Sequence, residues 1–69
     1  MPSTATIEPH DHWCRDGPAC SDEILFTRGF LYAVRRWYVA VGGKRRSRSF
    51  RNRDLALAEA KKRGFEVAE

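Results

Sequence analysis

The stretch that most constrains this chain is Arg36 to Phe50. There an alternating apolar run, Trp37-Tyr38-Val39-Ala40-Val41, meets Gly42-Gly43 and continues into Lys44-Arg45-Arg46-Ser47-Arg48. Two successive glycines supply the positive φ angles of a two-residue primed turn without a Cβ clash, so the chain must reverse here as a β-hairpin. The strand period of two puts Trp37, Val39 and Val41 on one face, the core face, and Arg36, Tyr38 and Ala40 on the other. Carried through the third strand, the same alternation places Lys44, Arg46 and Arg48 together, with Arg45, Ser47 and Ser49 opposite. The cationic trio is expected to share its face with Arg36 and Tyr38, with Arg51 just beyond. Arginine's planar fork can grip a phosphate or a guanine edge with two hydrogen bonds, so this face is expected to bind nucleic acid.

Charge is divided unevenly along the 69 residues, which carry +4 overall. Up to Val34, two arginines against five carboxylates give −3, whereas eleven cations against four carboxylates give +7 from Arg35 onward. A basic half of this kind favours a polyanionic partner through phosphate neutralisation and counterion release. A chain of 8.0 kDa has room for one small core. No apolar run approaches the roughly 20 residues of a membrane span, and the N-terminus lacks the basic start and apolar core of a signal peptide. A cytoplasmic, intracellular protein is expected, in which a Cys14–Cys20 disulfide would not persist.

Residues 1–21 hold all three prolines and little apolar periodicity, and are expected to form a disordered or loosely packed tail ahead of a single β-β-β-α domain over 22–69. Within the tail, His10, His12, Cys14 and Cys20 are four potential soft-metal ligands. Their spacing lacks the paired Cys-x2-Cys and His-x3-His form of zinc sites, so neither metal nor other cofactor is expected. From Ile24 to Val34 the β-branched and aromatic content points to two short strands, or one strand bulged at Gly29, with helix as the competitor because Ser21-Asp22-Glu23 could cap one. Arg35-Arg36 then reads as the turn into the strand of Trp37. After Phe50, Asn52 is expected to cap a helix from Arg53 to Arg63, with Ala56, Leu57 and Ala60 inward and Glu59 pairing with Arg63. Gly64 is expected to close that helix in a Schellman motif that folds Phe65 over Ala60, with a frayed end beyond. The fold class is α+β: a three-stranded antiparallel sheet, open to an extra N-terminal strand, packed on one C-terminal helix.

The segments Trp37-Tyr38-Val39-Ala40-Val41 and Arg48-Ser49-Phe50-Arg51-Asn52, the latter leading to Ala56 and Ala60, resemble the three-stranded-sheet-plus-helix DNA-binding domains. These are the ethylene-response-factor (APETALA-type) domain and the arm-type DNA-binding domain of phage and transposon integrases. The resemblance covers Phe30 to Gly64. It implies a sheet lying in the DNA major groove with the helix behind it, and outward positions at Arg36, Tyr38, Lys44, Arg46 and Arg48. It also implies a small phage or mobile-element regulator acting by occupying DNA. Two other partners fit a basic sheet: double-stranded RNA, and an acidic host protein to which the chain would dock as an inhibitor module. No paired carboxylates, nucleophile with base, or phosphate loop occurs in the basic half, so neither an enzyme nor a small-molecule substrate is expected.

Overall fold

A computed structural model describes residues 4–67. The chain is α+β, with a curled mixed sheet and one helix. Strand β1 (Thr4–Cys14) is followed by a short 3-10 turn (Gly17–Ala19), β2 (Glu23–Arg28), β3 (Leu31–Val41), β4 (Lys44–Arg45), helix α1 (Arg53–Lys62) and β5 (Glu66–Val67). The strand order is β2-β3-β1-β5, with β4 pairing β3 beyond the end of β2.

The expectation of a loose tail over residues 1–21 is corrected for its described part. β1 pairs antiparallel with β3 along ten positions, from Ala5 opposite Val41 to Cys14 opposite Tyr32. Its alternation is real but masked: Ala5, Ile7, Pro9, Asp11 and Trp13 share the helix side of the sheet, and Pro9 and Asp11 interrupt the apolar reading. A proline inside a sheet is tolerated where its missing N–H faces no acceptor. Trp37, opposite Pro9, directs both its amide and its carbonyl to Phe50 on the other side, at 2.9 and 2.6 Å. Pro9 therefore turns its nitrogen toward the outer edge of β1, where β5 among the described residues pairs Thr4 and Ala5 only.

The segment after β1 is also fixed. Cys14 and Cys20 are joined as a disulfide with Cα atoms 6.8 Å apart, contrary to the expected free thiols. Ser21 is buried; its hydroxyl lies between the carbonyls of Arg35 and Arg51, 3.0 Å from the latter, and accepts from the Glu23 amide at 3.1 Å. Buried polar atoms of this kind must be paired, and pairing them pins three chain segments together.

The segment from Ile24 to Val34 is strand on both sides of a turn, as the β-branched content suggested, but the reversal lies at Gly29-Phe30 rather than at Arg35-Arg36. Arg28 opposes Leu31 across a two-residue loop whose first residue, Gly29, has φ 61°. That is the glycine position of a type II′ hairpin, whereas Arg35 and Arg36 continue β3. Gly42 and Gly43 both have positive φ (60° and 79°), and Val41 opposes Lys44, so the expected primed turn is present.

Helix α1 is capped by Asn52, whose Oδ1 accepts from the Leu55 amide at 2.9 Å. Ala56 and Ala60 are fully buried, and Ala60, Ala5 and Val39 form a core against which Ile7, Val41, Phe65 and Val67 pack. The helix ends as a Schellman motif: Phe65 donates to the Ala60 carbonyl and Gly64 (φ 80°) to that of Lys61, each at 3.0 Å. The chain then continues into β5, parallel to β1, so the expected fraying does not begin at Glu66. Ten helical residues span about 15 Å, less than half the length of β3, so one end of the sheet lies beyond the helix.

Candidate nucleic-acid interface

The third strand expected from Lys44 to Ser49 is only two residues long. Arg45 opposes Ala40 and Lys44 opposes Val41, yet Phe50 bridges to Trp37. Opposed positions sum to 85 at the turn and to 87 at Phe50, so two extra residues are accommodated between them. Within that bulge the Arg46 amide still donates to the Val39 carbonyl at 2.8 Å, and the Ser47 hydroxyl accepts from the Val39 amide at 2.9 Å. The core strand keeps its hydrogen bonds while residues 46–49 leave the ladder.

This geometry rearranges the expected site. Directly opposed residues of an antiparallel pair share a face, so Arg45, and not Lys44, stands beside Tyr38. The Arg45 guanidinium lies 5.2 Å from the centre of the Tyr38 ring, a cation–π contact. The two-residue turn is the signal that could have found it, since such a loop pairs even positions with odd ones. Lys44 is exposed on the helix side. Arg46 and Arg48 are exposed in the bulge, where strand alternation no longer assigns a face, and Arg48 lies over the Phe50 ring at 5.4 Å.

Arg36 and Arg51 are committed internally. Arg36 donates from Nε to the Ser49 hydroxyl and from Nη2 to the Ser49 carbonyl, both at 2.8 Å, and from Nη1 to the carbonyl of Cys20. Arg51 pairs with Asp22 at 2.9 Å and donates to the Pro18 carbonyl at 2.7 Å. Arg36, Arg48 and Arg51 nevertheless line one open cleft of about 300 Å³ with Ser49, Phe50 and Leu55. Of these three, Arg48 has no hydrogen-bonded protein acceptor among the described residues.

The ion pairs among the described residues are Arg35–Asp11, Arg51–Asp22 and Arg63–Glu59. Lys44, Arg45, Arg46 and Arg48 enter none of them. Hydrogen bonds hold two carboxyl groups below their ordinary range: Asp11 through Arg35, and Asp22 through Asn52 and then Arg51. Asp11, Asp22 and Glu59 are thus tied to arginines outside the run, and no carboxylate among the described residues pairs with the cations after the turn.

The tail residues considered as metal ligands are only partly gathered. His10, His12 and Cys14 lie along the other face of β1, with the two imidazole rings 5.4 Å apart. The ligand atoms of Cys14, Asp16 and Cys20 cluster within 4.8 Å. The two sulfurs are bonded to each other, and zinc requires thiolates. Burial lowers the pKa of His12, whose Nδ1 is enclosed with no hydrogen-bond partner among the described residues.

No family model, curated protein or solved structure matched the chain in comparisons with known proteins.

Proposed function

We propose that the protein binds nucleic acid, with duplex DNA as the preferred partner, through the turn and bulge that present Lys44, Arg45, Arg46 and Arg48, with Arg45 beside Tyr38. The observation that carries this reading is the set of four exposed cations within five residues, none of them in an ion pair among the described residues. Crowded like charges are relieved by an anion, and a phosphate backbone offers anions at matching density. Arg36 supports this site by holding Ser49 at the end of the bulge, and Arg51 ties the adjoining strand end to Asp22 and Pro18. The contact surface is therefore the rim of the sheet at the turn, rather than the flat β3 face that the resemblance implied.

The hairpin, the Asn52 cap and the alanine stripe on which the resemblance to integrase arm-type and APETALA-type domains rests all support this reading. The corresponding role is that of a small phage or mobile-element regulator. No helix of the described residues is long and apolar enough to cross a membrane.

The test is fluorescence anisotropy of a labelled short duplex across a salt series. Affinity should fall steeply between about 50 and 200 mM salt, and removing Arg45, Arg46 and Arg48 together should flatten the slope by up to about three phosphate contacts. Absence of binding at the low-salt end would refute the proposal.

A further inference from the structure

Beyond the helix, the sheet ends in an apolar edge. All six residues of β2 are exposed, Phe26 at 56%, and Phe30 at the hairpin tip is 90% exposed. β2 is the outer strand on its side, so its outward backbone groups have no strand partner among the described residues. Free edges invite pairing unless a proline, a charge or a bulge guards them. The open edge of β1 carries such a guard in Pro9. β2 has neither proline nor charge at its centre; Ile24, Leu25 and Phe26 stand there, and its single bulge between Ile24 and Phe26 leaves Leu25 exposed rather than covered. Phe26 meets Trp13 edge-on at 5.1 Å, and Leu31 extends the same apolar face.

The charges at the two ends of β2 identify the occupant. Glu23 begins the strand and Arg28 ends it. Paired antiparallel with itself, the strand sets Glu23 against Arg28 of the other copy twice, with the two Phe26 residues meeting on the axis because Leu25 is the extra residue of the bulge. A parallel arrangement would oppose like charges at both ends. We propose that a second copy of this chain docks here, β2 to β2, about a two-fold axis. β2 borders the Leu31–Arg35 half of β3 and β4 borders Ala40–Val41, so the dimer leaves both basic turns uncovered. The proposal does not depend on nucleic-acid binding.

Sedimentation velocity of the full chain over a concentration series tests it. A reversible dimer is expected. Glu23→Arg and Arg28→Glu should each weaken it about tenfold, and the double swap should restore it to within about threefold. Recovery in the double variant also shows that the single variants did not fail by misfolding. A monomer at every concentration, a dimer indifferent to the single reversals, or a double variant no tighter than the singles would each overturn the proposal.

Discussion

The guanidinium of Arg36 spends its donors on Ser49 and the Cys20 carbonyl, so its removal leaves half-buried acceptors without a partner. Arg36→Ala should lower stability by about 2–4 kcal/mol in denaturant unfolding, and Arg36→Lys should recover only a fraction because an ammonium cannot bond both Ser49 atoms as a fork does. Arg45→Ala behaves in the opposite way: it should leave the unfolding midpoint nearly unchanged while weakening duplex binding by about 1 kcal/mol. Equal stability loss in the two variants would show that this division between support and contact is mistaken. His12 gives a pH signature. Its folded pKa lies below the ordinary 6.5 because burial disfavours the charged ring, so the unfolded chain binds the extra proton. Its contribution is present above pH 6.5 and is lost as pH falls through the depressed value. Thermal scans from pH 7.5 to 5 should show a loss of stability that His12→Gln reduces.

At the scale of elements, the C-terminal helix was legible almost residue by residue. Cap, stripe and Schellman close each depend on local chemistry at fixed offsets, which a sequence displays directly. Asn52→Ala removes both the cap on Leu55 and the Asn52–Asp22 hydrogen bond at 2.6 Å, and should cost about 1–2 kcal/mol by thermal denaturation. The Gly42-Gly43 turn and the inward placing of Val39 and Val41 were legible for the same reason, whereas Trp37 is only half-buried and Ala40, expected outward, is buried. β1 was not, because its fitness as a strand depends on where β3 sends its hydrogen bonds at Trp37 and on how far β5 extends, both of them non-local facts. The basic run failed in part through register. A two-residue turn exchanges odd and even positions, which moves Arg45 to the Tyr38 face, and the bulge at Arg46–Ser49 then removes Arg46 and Arg48 from any strand face. What could be read was the charge of the site; its arrangement required the pairing.

The whole molecule is elongated, 48 × 19 × 18 Å, with its core at the helix end and its bare apolar edge at the other. The Cys14–Cys20 link lies toward that bare end and closes a loop with a sequence separation of 6. Reduction should therefore cost about 2 kcal/mol without abolishing cooperative unfolding, because Ser21 and Arg36 hold the same segment independently. The molecule as a whole thus offers two unrelated surfaces, a charged turn and an apolar edge. An amide chemical-shift titration of the chain with a short DNA duplex at low salt tests the central claim most directly. The account predicts salt-reversible shifts concentrated at Tyr38 and Lys44 through Arg48, with the β2 edge unaffected. Shifts centred on β2, or none at the Lys44–Arg48 segment, would contradict it.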